Sequence, residues 1–231
     1  MKDESIEIIK KHFCLNSEKV KKGTNIIGYN EQLKDGIMLF ELYKSLIIYS
    51  DSNIFQILKK KRKIGIERAT DLISMKAEIK EIEDERYYFI DEDTDWNPID
   101  KSDLKIKDLT EKDESKIRTL KKKCTQNELD LGQVNLNDLM PIGGYIGSKL
   151  VGVASILEIN ENIYDIGVIV DPEYRNNSIG SALATHLIGY SIVKKKVARY
   201  LTNVNNKSSV GIAEKLKLPL IVKYRKITLK K

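Results

Sequence analysis

The stretch from Ile163 to Tyr190 constrains the fold more than any other part of the chain. Ile163–Val170 (IYDIGVIV) is rich in β-branched residues and reads as a buried strand. Asp171-Pro172 stops it, because proline cannot continue a hydrogen-bond ladder. In the next segment, PEYRNNSIGSALATHLIGYSI, the residues Ile179, Leu183, Leu187 and Tyr190 share one helical face, with Ala182 and His186 beside it. The helix is expected to begin near Ser178 and His186 to pack against a sheet. A strand that feeds a helix through a short polar turn places this half of the chain in the α/β (mixed α+β) class.

The neighbouring segments fit that class. Leu104 to Leu109 reads as a strand, Asp113 to Lys123 as a helix opened by acidic residues, and Thr125 to Met140 as loop. Gly143 to Ile146 and Lys149 to Ile159 flank Gly147-Ser148 in the pattern of a hairpin. Asn160 to Asn162 makes a second turn. Near the end, closing strands are expected around Leu220 to Val222 and Lys226 to Leu229. In the first half, Met1 to Phe13 has helical spacing, Ile37 to Ser50 holds one or two buried strands or a strand after a short helix, and Ile66 to Ile82 has helical character. Asp51-Ser52-Asn53 reads as a cap for a helix from Ile54 to Lys61, and Arg86 to Ile90 as a strand. The acidic, Pro-containing stretch Asp91 to Ser102 is taken as the linker. It divides a smaller α/β amino-terminal domain, 1–100, from a second domain, 101–231.

Composition removes several function classes. The chain has 231 residues and no apolar run approaching the roughly 18 to 20 that a membrane helix needs. With no secretory signal at Met1 to Lys11, a cytoplasmic protein with no membrane association is expected. Two cysteines, Cys14 and Cys124, and two histidines, His12 and His186, lack metal-ligand spacing, so no metal is implied. A formal charge of +6, from 40 basic against 34 acidic residues, is weak ground for nucleic acid. The basic runs Lys59 to Lys63 and Lys194 to Lys196 read as solvated helix ends.

The turn Arg175-Asn176-Asn177-Ser178-Ile179-Gly180 carries the chemistry. The first-turn N–H groups of a helix lack intrahelical acceptors, and the macrodipole adds partial positive charge there, so a pyrophosphate fits. Arg175 adds a charge, Gly180 admits a phosphate to the backbone, and Ser181 and Ala182 avoid crowding it. This hexapeptide resembles the signature of the GNAT N-acetyltransferases: Arg or Gln, two variable residues, Gly, one more, then Gly or Ala. Ser178 stands where the family has glycine. Downstream, LTNVNNKSSVGIAEKLKL resembles the family's next block, with Asn206, Ser209 and Lys215-Leu216 aligned. Lys217-Leu218 replaces the family's terminal Gly-Phe, so Pro219 has to stop the helix.

The resemblance, which runs from Leu104 to the carboxyl terminus, implies a central mixed sheet flanked by helices. It also implies acetyl-CoA as cosubstrate and direct attack of an amine acceptor on the thioester. Val168, Ile169 and Val170 would polarise the carbonyl, while Asn206 and Ser209 would lie beside the pantetheine or cap a helix. The family's tyrosine acid is replaced by Ala213, so Tyr164 and Tyr174 are candidates in its stead, and Asp165 or Glu158 is the candidate base. Glu128, Asp130 and Gln133 fall in the family's substrate loop, where they could bind a cationic amine or cap a short helix. Ala213 also leaves open a noncatalytic CoA-binding regulatory or interaction module. A homodimer stays open, and the first half is either unassigned or a degenerate copy of the second.

Overall fold

The computed structural model describes residues 1–13, 26–29, 33, 36–42, 45–50 and 64–230. The chain divides into two compact units. The first comprises Met1–Ser5, Tyr88–Thr202 and Asn206–Pro219, and the second Ile6–Tyr87, Asn203–Asn205 and Leu220–Lys231. The expected linker thus lies within the first unit. There the Asn97 N–H donates to the Leu216 carbonyl at 2.8 Å and the Ile99 N–H to Thr185 Oγ1 at 3.0 Å.

In the second unit, α1 (Asp3–His12) begins in the first and is followed by β1 (Ile26–Tyr29), β2 (Gly36–Leu42) and β3 (Ser45–Ser50). Then come α2 (Ile66–Ser74), β4 (Ile79–Ile90, whose last three residues belong to the first unit) and, at the far end of the chain, β10 (Leu220–Leu229). Here the strand order is β1-β3-β2-β10-β4. Ile66, Ala69 and Ile73 of α2 cover Ile37, Leu39, Leu46, Ile48 and Ile227. On that same face Arg225 bonds Asp84 through Nε at 2.6 Å and Nη2 at 2.7 Å, and Glu67 through Nη1 at 2.8 Å. On the opposite face Phe40 meets Phe13, Tyr49 and Tyr224.

Of the alternatives open for Ile37 to Ser50, one or two strands or a strand after a short helix, the segment forms two strands. The helical reading of Ile66 to Ile82 is corrected. The helix ends at Ser74, and by Ile79 the backbone has joined the strand that continues through Arg86–Ile90. The expected cap 51–53, the helix 54–61, the basic run 59–63 and Cys14 lie outside the described residues.

The first unit is built from β5 (Lys105–Asp108), α3 (Glu114–Lys121), α4 (Gln126–Gly132), β6 (Leu139–Ile146), β7 (Lys149–Asn160) and β8 (Ile163–Val170). After them come α5 (Ile179–Val193), β9 (Val197–Asn203, its last residue outside the unit) and α6 (Lys207–Lys215). From the end of β4 the strand order is β4-β9-β8-β7-β6-β5, with β8 and β9 parallel and β8, β7, β6 and β5 successively antiparallel. Helices cover both faces, which is why β7 and β8 read as nearly continuous apolar runs. On one face Ile179, Leu183 and Leu187 of α5 pack on Val151, Ala154, Ile156 and Ile166. On the other, Ile117 and Leu120 of α3 pack on Val153 and Ile169. No described helix is long and apolar enough to cross a membrane.

Several boundaries differ from expectation. The loop expected over Thr125 to Met140 contains α4, whose amino end is a capping box between Thr125 and Glu128. His186 is exposed rather than packed on the sheet. The two closing strands are one, β10.

α4 comes unusually close to β8. A Cβ added to Gly167 would lie 2.4 Å from the Gly132 carbonyl oxygen and 2.8 Å from that of Gln133. These are backbone atoms that cannot rotate away, so Gly167→Ala should cost about 1–3 kcal/mol of stability. Thermal unfolding checks this; an unchanged midpoint would mean that α4 tolerates displacement.

Candidate functional site

The site arises where two strands part. β8 and β9 are in register at Ile163↔Val197, Tyr164↔Ala198 and Asp165↔Arg199, and beyond that pair they diverge. A cavity of about 330 Å³ occupies the opening, with Ile166, Val168, Ile169 and Val170 on one wall and Tyr200 and Leu201 on the other. Backbone groups of β8 that face away from β7 have no sheet partner here and are available to a ligand.

The turn after β8 closes one end. Asp171 is buried; its N–H donates to the Val151 carbonyl at 2.9 Å, and its carboxylate accepts from the Glu173 N–H at 3.1 Å and from Lys123 Nζ at 2.8 Å. The chain then reaches Asn176 and Ser178, both left-handed, with φ of 63° and 62°. Asparagine tolerates that region, but serine is strained there. The backbone conformation therefore explains the family's glycine at the position of Ser178. From Ile179 the helix begins, and its first-turn N–H groups border the cavity. A Cβ on Gly180 would come 2.7 Å from Ile212 Cδ1 of α6, the far end of a side chain that can shift to make room.

Most of the predicted cofactor residues converge. Val168, Ile169, Val170, Arg175, Asn176, Ser178, Ile179, Gly180, Ser181, Asn206 and Ser209 line the cavity. Two do not. Asn177 turns outward, its amide donating to the Arg175 carbonyl at 3.1 Å, and Ala182 packs in the core beneath the helix. Asn206 caps α6, its side chain accepting from the Ser209 N–H at 3.1 Å, and borders the cavity as well.

Of the proposed acid and base residues, Tyr174 lines the cavity and the other three fall elsewhere. Asp165 is buried and paired with Arg199 Nε at 2.7 Å. Tyr164 is buried, which pushes its phenol above the ordinary range, with Glu158 adding to the effect. Glu158 itself is exposed, opposite Tyr164 on β7. None of the three lines the cavity, because they sit on the paired stretch of β8 and β7 rather than the parted one.

The structure also brings in Tyr200, which the motifs did not mark, and Lys215, which the second motif aligned without a role. Tyr200 is buried on the cavity wall, and its hydroxyl lies 2.8 Å from Ser209 Oγ. Burial drives its pKa well above that of an ordinary phenol, so it stays a neutral hydrogen-bond donor. Lys215 bonds the Ser178 hydroxyl across the mouth, so α6 and the turn meet there. Lys207, Lys215 and Arg175 are the cations of the lining and Glu128 its one carboxylate, a balance that favours an anionic ligand. Tyr200 was not marked in the sequence; its cavity position depends on the divergence of the strands, which has no local sequence signal. Among the described residues no cluster of three His, Cys, Asp or Glu side chains could hold a metal ion.

Residues 106–217 match the model of the Acetyltransferase (GNAT) family. This segment is a GNAT acetyltransferase domain. Its fold recurs in solved structures. A GCN5-related N-acetyltransferase from Sphaerobacter thermophilus superposes with a TM-score of 0.52 at 13% identity, over 70% of this chain and 55% of that one. An acetyltransferase from the GNAT family of Colwellia psychrerythraea gives 0.51 at 11% identity, over 71% of this chain and 62% of its own. The matched region therefore spans less than two thirds of either protein. No curated protein matches the sequence. The residues present suit the coenzyme A that the family uses: a helix amino terminus, a glycine held to close approach and a cationic rim beside parted strands.

Asp171 anchors the turn of this GNAT domain and should report on its pH stability. Burial alone would raise its carboxyl pKa, but the hydrogen bonds from Lys123 and the Glu173 N–H outweigh burial and leave it below the ordinary value. A depressed folded-state pKa adds stability above the unfolded pKa of about 3.9, and that stability is lost as pH falls through the folded value. Asp171→Asn should accordingly flatten the fall in thermal midpoint between about pH 5 and pH 2. Identical acid profiles for the two proteins would show that another carboxylate dominates.

Proposed function

We propose that the domain transfers the acetyl group of acetyl-CoA to an amine, of a small molecule or a protein, by direct attack. The observation that carries this reading is the cavity between the parted strands β8 and β9, closed by the α5 amino terminus. The pyrophosphate would rest on the N–H groups of Ile179, Gly180 and Ser181, with Lys215 and Asn176 at its edge. The pantetheine would run along Val168 to Val170 toward Asn206 and Ser209, pairing with backbone groups that the missing ladder leaves open.

In the reaction the amine nitrogen bonds to the thioester carbon, the carbon–sulfur bond breaks, and the nitrogen proton and the thiolate are resolved separately. β8 N–H groups facing the opening would stabilise the oxyanion. The one lining carboxylate, Glu128, is engaged by Arg175 at 2.6 Å, so the amine proton is assigned to water. Tyr200 offers its hydroxyl as a hydrogen bond to the departing thiolate. Its raised pKa suits it to that role and not to full proton transfer, which works best when the donor pKa lies near the operating pH.

Isothermal titration with CoA tests the site. Asn176→Asp adds one negative charge at the turn and keeps a residue that tolerates positive φ, so it should weaken CoA binding roughly tenfold without unfolding the protein. No heat with the unaltered protein would sink the cofactor reading, and equal affinities would move the phosphates elsewhere. A free-thiol assay over a panel of amines addresses catalysis. In that assay Tyr200→Phe should lower kcat by about tenfold or more with CoA affinity retained, as expected for one lost hydrogen bond to a developing charge. An unchanged kcat would remove Tyr200 from the chemistry. Absence of turnover with every amine, alongside intact CoA binding, would favour the noncatalytic alternative that Ala213 raises.

A further inference from the structure

Arg175 is the side chain that the turn motif offers to a phosphate, yet its guanidinium is already engaged. Nε donates to the Val170 carbonyl at 3.3 Å, Nη2 lies 3.9 Å from Cys124 Sγ, and Nη1 donates to Glu128 Oε1 at 2.6 Å. Glu128 is no passing surface partner. Its other oxygen accepts the Thr125 N–H at 2.8 Å, and its own N–H donates to Thr125 Oγ1, completing the capping box of α4. The helix it caps is fixed in turn, with Gly132 packed against Ile169 and the Gly132 and Gln133 carbonyls against Gly167. The carboxylate therefore cannot swing clear of the cavity without giving up its half of the capping box, the bond from the Thr125 N–H.

We infer that Glu128 is a built-in counter-anion that sets the selectivity of the cavity for phosphate-bearing ligands, holding Arg175 in an ion pair that any bound phosphate must share. The inference rests on the cofactor reading above. A carboxylate fixed on the wall repels a polyanion and also neutralises the nearest fixed cation. Both effects act on the charged end of the ligand and neither acts on an uncharged pantetheine arm. Glu128 thereby lowers affinity for the phosphates and leaves the discrimination among acyl-CoA ligands to the arm and the acyl group. It also keeps the guanidinium ordered when no ligand is bound. The arrangement trades phosphate affinity for a preformed turn.

Glu128→Gln separates charge from structure, because glutamine serves equally at the third position of a capping box and preserves the bond to Thr125. Isothermal titration would compare CoA with pantetheine, which carries no phosphate, at low and high salt. The expected result is CoA binding tighter by roughly three- to tenfold in the variant, the size of one partly exposed charge interaction. The gain should shrink as salt screens it, with pantetheine unchanged. CoA affinity that is unchanged or weaker would overturn the inference and leave Glu128 a cap that positions Arg175. Equal tightening of CoA and pantetheine would overturn it as well, since the effect would not be electrostatic. If the unaltered protein binds CoA and the variant does not differ, this inference alone fails. If neither protein binds CoA, the cofactor reading fails and this inference falls with it.

Discussion

Everything at the candidate site depends on the point where β8 and β9 stop pairing. The last pair in register is Asp165↔Arg199, and the two side chains are themselves joined, buried, at 2.7 Å. A buried ion pair is poor evidence of net stability, but removing one partner strands a charge and is costly, so such pairs are effective at fixing register. Here the pair pins the junction from which the strands diverge. On one side of it the backbone forms an ordinary parallel ladder; on the other its polar groups need a different partner. A long ligand with amides of its own can supply that partner, and the strands need not close to satisfy themselves.

The surrounding elements hold that gap open. α5 packs Ile179, Leu183 and Leu187 onto one face of the sheet, and α3 with Ile169 and Val153 fills the other, so neither strand can slide toward its neighbour without emptying a core. The helix amino terminus is aimed at the opening because α5 leaves the sheet through a turn anchored at buried Asp171. α6 completes the wall: Ile212 packs against Gly180, and Lys215 reaches Ser178. Where many related proteins place a tyrosine on this helix, Ala213 is buried against the core. A buried phenol reaches the cavity instead from strand β9, as Tyr200, and another phenol comes from the turn, as Tyr174.

Much of the proposed cofactor end was legible in the sequence. The strand stop at Asp171-Pro172, the polar turn and the apolar face of α5 are local patterns, and local patterns decide where a helix begins. The Thr125-x-x-Glu128 signature was readable too and would have revealed α4, had the segment not been taken as loop. The catalytic end was not legible. Asp165 was read as a candidate base because the resemblance puts a glutamate at its strand position, but it is paired with Arg199, 34 positions away. Tyr200 gave no sign of its position, because the parting of two strands is a property of their pairing and not of either strand alone. The same holds for β10, which joins the second unit from the far end of the chain; no composition shift announces a strand whose neighbours are β2 and β4.

The contact between α4 and β8 has a thermodynamic corollary. At Gly167 the two elements meet backbone to backbone, with no side chain between them to absorb a shift. A displacement of α4 must therefore be felt by the strand whose free N–H groups border the cavity. Whatever binds against α4 and whatever binds along β8 then share one mechanical element. If each of two such ligands shifts that element, their binding free energies are linked, and linkage is reciprocal: each alters the affinity of the other by the same factor. The contact that would carry such a linkage exists because position 167 bears no side chain.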